Sequence, residues 1–224
     1  SKVIARIAII LDDAGGRKPD YKRIFSIREP LTIAVLPYLP TSKKVAAAAR
    51  DAGLEVILHL PMESSNGNYS KSSRGMVTTS ACNEDIKRIV RGSFSSIGGA
   101  AGFNNHMGSK ATSDERVMKA VFNSIKGDGY YFIDSRTSSR SVALGIARSL
   151  GIPSVENNVF MDVGTTRADI ENKFKQLISV AKRRGSAIGI AHATRPETIG
   201  VLMDFMPEYE KNGIEFVYAS ELTR

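Results

Sequence analysis

The 224-residue chain has few of the residues that usually mark a functional class. It contains one cysteine, no tryptophan and only 7% aromatic residues. The single cysteine, Cys82, excludes a disulfide within the chain and favours neither an oxidising nor a reducing compartment. No apolar run approaches the roughly 20 residues of a membrane-spanning helix, and no signal-peptide pattern opens the sequence. We therefore expect no integral membrane segment in this chain.

Basic residues exceed acidic ones, which gives a formal net charge of +8. Lys and Arg are nevertheless spread along the chain, and the two short clusters at 43–44 and 182–184 fall on or beside predicted helices. Such clusters are typical of solvated helix faces, with attraction to an anionic envelope polymer or membrane surface as the functional alternative. Because no nucleic-acid-binding motif is present, we expect no nucleic-acid partner.

Apolar runs alternate with amphipathic stretches along the chain, and 42% of the residues are hydrophobic, enough for a sizeable core. This alternation predicts parallel strands joined by right-handed crossovers. We predict one α/β domain over residues 1–224, folded as a distorted (β/α) barrel of about seven parallel strands. Strand candidates are 4–11, 31–36, 54–60, 100–104, 130–134, 157–162, 186–191 and 214–218; helix candidates are 19–27, 41–52, 83–97, 114–126, 140–150, 167–184 and 196–212.

The ends of the predicted strands carry most of the polar residues. After successive strands the chain reads LDD, LPYLP, HLPME, FNNHMGS, FIDSRTSS, FMDVG, IAHATR and YASEL. The turn after the first strand is not the GxGxxG of an open dinucleotide-binding sheet, which favours barrel-like closure. In α/β barrels the loops after the strands converge at one rim, where sites are built. The polar stretch at 63–79 is long enough to be a rim loop.

Two adjacent carboxylates, Asp12 and Asp13, end the first apolar run, which predicts a strand buried on both faces. Adjacent side chains leave a strand on opposite faces, so both carboxylates share a site only where the chain departs from the pleat. The following Ala14-Gly15-Gly16 permits that departure. A single Asp here is typical of a turn or a helix cap, but a pair favours a bound cation, which offsets the repulsion.

All three histidines, His59, His106 and His192, lie at or just beyond predicted strand ends. One such histidine is more often structural than a ligand, but three at one rim with two carboxylates favour a functional site. Imidazole nitrogens plus a carboxylate, with one position left for water, form the ligand set of a catalytic zinc site. Such a metal activates water and polarises a carbonyl, so the pattern indicates a hydrolase.

The order of these residues resembles the divergent polysaccharide deacetylases, relatives of the NodB-like carbohydrate esterases, over most of the chain. Ile10-Leu11-Asp12-Asp13 matches the family's opening Thr-Phe-Asp-Asp motif, and His59-Leu60-Pro61-Met62-Glu63 matches its His-x-x-x-His motif. Ile190-Ala191-His192 matches its closing Leu-x-His motif. The divergent branch is identified by NNHMGS at 104–109, by His-x-Pro-Met and by Phe132-Ile133-Asp134-Ser135.

The resemblance implies a NodB-like fold with Asp12 as the catalytic base, His192 as the catalytic acid and Asp13 as a metal ligand. The second histidine of the metal motif is replaced here by Glu63. We expect His106 to fill its place, so that Asp13, His59 and His106 hold Zn²⁺ or another divalent transition metal. Glu63 is an alternative ligand, or it caps or salt-bridges the following loop.

The third family motif usually carries an arginine that this chain lacks, and Lys110 or Arg136 are the candidates to orient the base instead. Asn104 and Asn105 are expected to hydrogen-bond substrate or to close a strand end. Asp134 is expected to bind substrate or to support a ligand or the acid, with a plain turn role as the alternative.

The function implied by the resemblance is metal-dependent removal of acetyl groups from N-acetylated or O-acetylated carbohydrate, such as a cell-envelope polysaccharide. Two rivals remain: a non-catalytic envelope or glycan-binding protein on the same fold, and another metal-dependent hydrolase acting on an amide or phosphate ester. The resemblance alone implies an extracytoplasmic location, with an export signal or anchor outside this sequence. Few aromatic side chains are available to stack on sugar rings; the best candidates are Tyr38, Tyr69 and Phe103.

Overall fold

Strands and helices alternate along the chain as the sequence predicts. The computed structural model describes residues 2–67 and 75–223, so Tyr69 and part of the predicted rim loop lie outside the described residues. The strands are β1 (Ala5–Ala14), β2 (Thr32–Val35), β3 (Glu55–Met62), β4 (Gly102–Met107), β5 (Tyr131–Asp134), β6 (Ser154–Glu156), β7 (Val159–Phe160), β8 (Ser186–His192) and β9 (Ile214–Phe216). The helices are α1 (Tyr21–Ile24), α2 (Ser42–Asp51), α3 (Asn83–Ile97), α4 (Glu115–Asn123), α5 (Ala143–Ser149), α6 (Arg167–Arg184) and α7 (Pro196–Lys211).

These strands form one sheet in which neighbours pair in parallel, in the order β6-β5-β4-β3-β2-β1-β8-β7, with β9 added beside β1. Strands β6 and β7 stand at the two ends of this order and do not pair with each other. The predicted α/β architecture with parallel strands is therefore confirmed, as a barrel that stays open between β6 and β7. Within residues 2–67 and 75–223, no helix has both the length and the apolar character needed to cross a membrane.

Side chains on the two faces of the sheet form two separate cores. Those on the inner face come from β1, β2, β3, β5 and β8 and meet in one buried cluster, which requires the sheet to curl. Their neighbours along each strand point outward into a larger core beneath the helices. Burial on both faces explains why β1 reads as a nearly continuous apolar run rather than an alternating one.

Several predicted elements differ in their bounds from those observed. Of the strand predicted at 157–162 only β7, at 159–160, is observed, and β6 lies before the predicted range. Asn157 and Asn158 separate β6 from β7 and use their side-chain oxygens to accept from the backbone N–H groups of Val159 and Ile188. The helix predicted at 19–27 is only the four-residue α1. The helix predicted at 114–126 begins at Glu115, because the Asp114 carboxylate caps it by accepting from Val117 N at 3.0 Å.

The backbone is most irregular at the carboxyl ends of the strands. In the described residues, four non-glycine residues have positive φ: Asp13 (62°), Tyr38 (61°), Met107 (54°) and Arg136 (56°). Each lies at or shortly after the end of β1, β2, β4 or β5. Such left-handed conformations cost about 1–3 kcal/mol each and concentrate at functional sites. The rim predicted to hold the site is thus also where the fold accepts backbone strain.

Candidate active site

Strand β1 delivers both of its carboxylates to one place. Asp12 pairs in register with His192 on β8, so the two side chains share the inner face. Asp13 takes a left-handed backbone, and the register of β1 against β2 shifts between Leu11 and Ala14. The departure from the pleat therefore occurs at Asp13 itself, and the glycines that follow are not where it begins. As a result, Asp12 Oδ2 and Asp13 Oδ1 lie 3.6 and 3.2 Å from His59 Nε2.

Strands β3 and β4 bring the two imidazoles to the same face. His59 pairs in register with Asn104, and His106 lies two residues further along β4. Residues i and i+2 of a strand point to the same side, so Asn104 and His106 both face inward beside His59. Residue 105, between them, points away. The alternation of β4 thus decides which of its polar residues reach the site.

Three atoms converge as a metal site would require. Asp13 Oδ1 lies 3.1 Å from His106 Nδ1 and 3.2 Å from His59 Nε2, and the two nitrogens are 3.0 Å apart. Asp13 Oδ1 is buried, yet neither contact gives it a hydrogen bond of acceptable geometry. An orphaned buried oxygen facing two imidazole nitrogens fits one carboxylate and two histidine ligands of a divalent metal. The predicted set of Asp13, His59 and His106 is the group that the fold assembles.

Asn104 links this cluster to Asp12. Its side-chain oxygen lies 2.7 Å from His59 Nδ1, and its NH₂ group donates to Asp12 Oδ1 at 2.8 Å. Because the asparagine oxygen only accepts, His59 carries a proton on Nδ1, and its Nε2 faces Asp13. Asn104 is fully buried, so both of these contacts are shielded from solvent.

Burial and the neighbouring groups have opposing effects on the pKa values of Asp12, Asp13 and His59. Burial raises the pKa of Asp12 above its ordinary value, against the opposing effects of His59 and Asn104. Burial would also raise the pKa of Asp13, but the imidazoles of His106 and His59 outweigh it and hold this pKa well below its usual range. Burial alone would lower the pKa of His59, yet Asp12 and Asp13 raise it to about 9. The two adjacent carboxylates are therefore not equivalent, and Asp12 has the greater proton affinity.

His192 is held by a residue that sequence reasoning did not single out. Asp162 Oδ1 lies 2.8 Å from His192 Nδ1, while its Oδ2 accepts from His192 N at 2.8 Å and from the hydroxyl of Thr198 at 3.0 Å. The hydrogen bond that His192 Nδ1 donates to Asp162 raises the pKa of His192 despite partial burial. The strand register could have revealed this contact. Phe160 pairs with Ile190, so residues 162 and 192, each two positions further along the chain, lie level with each other.

Asn105 and Asp134 lie on the other face of the sheet. Asn105 accepts from Ser135 N at 2.9 Å and donates to the backbone oxygen of Met107 at 2.7 Å, which corresponds to its strand-closing alternative. Asp134 accepts from Arg136 N at 2.8 Å and from the hydroxyl of Ser141 at 2.7 Å, which corresponds to its turn alternative. The support of His192 comes from Asp162 and not from Asp134.

Glu63 is engaged by the rim loops. One carboxylate oxygen accepts from the backbone N–H and the hydroxyl of Thr79, and the other lies 2.6 Å from Lys110 Nζ. This arrangement corresponds to the predicted capping and salt-bridging role. Lys110 is thus held at Glu63, and Arg136 pairs with Glu156 at 3.2 Å, so the direct contact to Asp12 comes from Asn104 rather than from either cation.

Of the aromatic candidates, the structure describes Phe103 and Tyr38. Phe103 is fully buried among Phe94, Phe122 and Phe132 in the outer core. Tyr38 is half-buried, and its ring lies where side chains at Gly75 and Gly92 would otherwise be.

Comparison with known proteins shows the family and the fold of this chain. The family described as "Divergent polysaccharide deacetylase" matches residues 9–223. The chain belongs to this family. It is 33% identical over 209 residues to the uncharacterized protein YibQ of Escherichia coli K12, a match that covers 92% of this chain and 64% of YibQ. The chain therefore spans less than two thirds of that relative's length.

Solved structures share the fold of this member of the divergent polysaccharide deacetylase family. An uncharacterized protein from Agrobacterium tumefaciens, ATU2773, superposes with a TM-score of 0.88 at 24% identity, covering 99% of this chain and 90% of its own. A family 4 carbohydrate esterase from Streptomyces lividans in complex with acetate gives 0.55 at 11% identity, covering 99% and 97%. A mutant of BA3943, described as a CE4 family pseudoenzyme with restored enzymatic activity, gives 0.58 at 15% identity, covering 97% and 67%. The fold is thus shared with enzymes and with a pseudoenzyme.

We predict that Asp162→Asn lowers the pKa of His192 towards its ordinary 6.5. The asparagine keeps an accepting oxygen but loses the negative charge that stabilises the imidazolium. Because the folded-state pKa lies above the unfolded value, the wild-type pair stabilises the fold fully below pH 6.5 and loses this contribution as the pH rises through the folded-state pKa. With only three histidines, proton NMR titration of the metal-free protein can resolve each ring.

Asp134→Asn is the matched control, since Asp134 is equally buried but contacts Arg136 and Ser141. It should leave the pKa of His192 unchanged. An unchanged His192 titration in Asp162→Asn would contradict this assignment.

Proposed function

We propose that this protein is a metal-dependent hydrolase that removes acetyl groups from N-acetylated or O-acetylated carbohydrate. The observation that carries the proposal is the cluster of Asp13, His59 and His106 with a buried carboxylate on one side and an imidazole backed by Asp162 on the other. Family membership supports a carbohydrate substrate, and the cluster supports a metal-assisted reaction.

Asp13, His59 and His106 would hold the metal through a carboxylate oxygen, Nε2 and Nδ1. A divalent transition metal bound there lowers the pKa of water and polarises the acetyl carbonyl oxygen. Three protein ligands leave a coordination position open, as catalytic zinc sites do. The side chains of Asp13 and His106 are 27% and 30% exposed, against 2% for His59, so the open side of the cluster faces solvent.

Asp12 is proposed as the general base. Its pKa is raised by burial, which makes it a stronger proton acceptor than an exposed aspartate. One of its oxygens is held by Asn104 and the other, Oδ2, faces His59 Nε2 at 3.6 Å. Asp12 takes the proton from the attacking water as the water oxygen bonds to the acetyl carbon.

His192 is proposed as the general acid. Asp162 fixes its Nδ1, which leaves Nε2 to face the reacting group, and raises its pKa so that the protonated form persists to higher pH. When the bond between the acetyl carbon and the sugar nitrogen or oxygen breaks, His192 gives its proton to the leaving atom. Free acetate and the deacetylated sugar are then the products.

Asn104 is proposed to position the base and a metal ligand together. It contacts no solvent and joins His59 to Asp12 through two short hydrogen bonds. In the family pattern an arginine occupies the third motif, and here the amide of Asn104 supplies a neutral contact to the base. The base is therefore oriented without the charge of an arginine.

A polar cavity of about 370 Å³ beside the rim supports a hydroxyl-rich substrate. It lies between the segments that follow β3 and β4 and is lined by Ser65, Thr79, Ser109, Ser113, Lys110 and Arg140, with Asp114. Hydroxyl and cationic groups match the hydrogen-bonding capacity of a saccharide. An extracytoplasmic location, where envelope polysaccharides occur, stays a proposal that rests on the family.

A non-catalytic glycan-binding role is the second candidate. It is favoured by the replacement of the second metal-motif histidine with Glu63, which is engaged by Thr79 and Lys110. The two roles separate on turnover, because a binding protein releases no acetate even with metal bound.

We expect the zinc-loaded protein to release acetate from N-acetylated chitin oligosaccharides or O-acetylated xylan oligosaccharides, and a chelator to abolish this release. Asp12→Asn should keep the metal but lose about 10²- to 10⁴-fold in turnover, because proton transfer is lost. His106→Ala should lose both metal and turnover. Acetate quantification and elemental analysis on the same samples give both readouts.

Turnover that survives in Asp12→Asn would contradict the assignment of the base. A protein that binds zinc through the three ligands but releases no acetate from either substrate class would favour the non-catalytic candidate.

We expect Asn104→Asp to lower turnover by about 10- to 100-fold with metal still bound. The new carboxylate accepts from His59 but cannot donate to Asp12, so the pKa of the base rises and the acidic limb of the kcat–pH profile moves to higher pH. Asn105→Asp is the matched control, because Asn105 is similarly buried and faces away from the site. Equal losses in the two variants would mean that Asn104 matters only for folding.

A further inference from the structure

A second cavity opens at the opposite end of the strands from the candidate active site. It has a volume of about 350 Å³ and lies where the barrel fails to close. Strand β7 pairs with β8 only at Gly189 and Ile190, so the beginning of β8, from Ser186 to Ile188, has no strand between it and β6. We call this space the seam cavity; it is lined by residues 154–156 and 186–188 and by side chains from the ends of α5 and α6.

The polar lining of the seam cavity is rich in hydrogen-bond donors. Arg148, in the last turn of α5, and Arg184, the last residue of α6, both line it. Within residues 2–67 and 75–223, neither guanidinium takes part in a hydrogen bond or ion pair. The carboxylate among the lining residues, Glu156, already pairs with Arg136 at 3.2 Å. The lining therefore carries two exposed, unpaired arginines against one carboxylate that is already paired.

Ser154 adds an independent observation. It is fully buried at the start of β6 and is one of the residues beside the cavity, and its Oγ has no hydrogen-bond partner. A buried hydroxyl without a partner is destabilising, and rotation of the side chain towards a bound ligand would give it one. Asn158 contributes a further donor, because its side-chain oxygen is used by Ile188 N and only its NH₂ group remains to donate.

A ligand that binds to these donors must offer mainly hydrogen-bond acceptors. Guanidinium groups have no acceptor atoms and bind carboxylate and phosphate in a bidentate manner. A volume of about 350 Å³ is at the small end of ligand pockets, larger than a bare phosphate needs. We propose that the seam cavity is a binding site for a small oxyanion, a phosphate or carboxylate group carried by a molecule of about the size of one sugar.

This site is independent of the proposed deacetylase reaction, since it shares none of its residues. The arginines also have an ordinary explanation, because cations in the last turn of a helix offset the helix dipole. That role requires no ligand and leaves Ser154 without a partner. Anion binding by the folded protein distinguishes the two explanations.

The test is titration of the isotope-labelled, metal-free protein, at constant ionic strength, with inorganic phosphate, glucose 1-phosphate, glucuronate and uncharged glucose. The three anions separate a phosphate from a carboxylate source, and free phosphate from a sugar-borne one. We expect saturable binding of at least one anion but not of glucose, with amide shifts centred on residues 154–158 and 186–188. Shifts centred on residues 12–13 and 104–106 instead would assign the binding to the metal cluster and overturn the proposal.

Variants at the lining residues give the second readout. Because a hydrogen bond to a charged group contributes about tenfold in affinity, Arg148→Ala and Arg184→Ala should each weaken binding by about that factor, and Ser154→Ala should weaken it less. The matched control is Arg183→Ala, which removes an adjacent arginine that bonds to Ser179 at 2.8 Å and does not line the cavity. Absence of saturable binding by all three anions, or equal weakening in Arg183→Ala, would overturn the proposal.

Discussion

The register of the parallel strands is the constraint on which the candidate site depends. Pairing of β1 with β8 sets Asp12 level with His192, and pairing of β3 with β4 sets His59 level with Asn104. A shift of one residue in either pair would turn the polar side chain to the outer core. The fully buried residues at the middle of each strand fix this register, so the apolar core of the barrel determines the geometry of its polar rim.

Electrostatics then distinguishes two adjacent carboxylates that the sequence presents as equals. Asp13 departs from the pleat of β1 through its left-handed backbone, and its carboxylate faces two imidazoles, which keep it ionised. Asp12 keeps the regular pleat of the strand, and its burial favours the protonated form of its carboxyl group. Without a cation the cluster is held together by His59, whose pKa is raised to about 9 by both carboxylates. A divalent metal would take over that charge balance and release the histidine proton.

Much of this arrangement could be predicted from the sequence, for physical reasons. Strand ends in a parallel barrel meet at one rim, so the three histidines and the Asp12-Asp13 pair could be placed together before any coordinates. The position of Asp13 in the left-handed region could not, because the following glycines offered an easier place for the turn. The outward orientation of Asn105 and Asp134 follows from strand alternation alone, but only once the register is known.

Asp162 and Asn104 show where sequence reasoning stopped. Asp162 follows the two-residue β7, and two asparagines that bind backbone groups separate this strand from β6, so the predicted strand at 157–162 had the wrong bounds. The sequence places Asn104 near the site. Its contacts to His59 and Asp12, however, join side chains of β3 and β1 and depend on how the strands pair. The most direct test of the account is anomalous diffraction at the zinc edge from zinc-soaked crystals. The account predicts one ion about 2.0–2.2 Å from Asp13, His59 Nε2 and His106 Nδ1; an ion at Glu63 without these ligands, or none in the cluster, would contradict it.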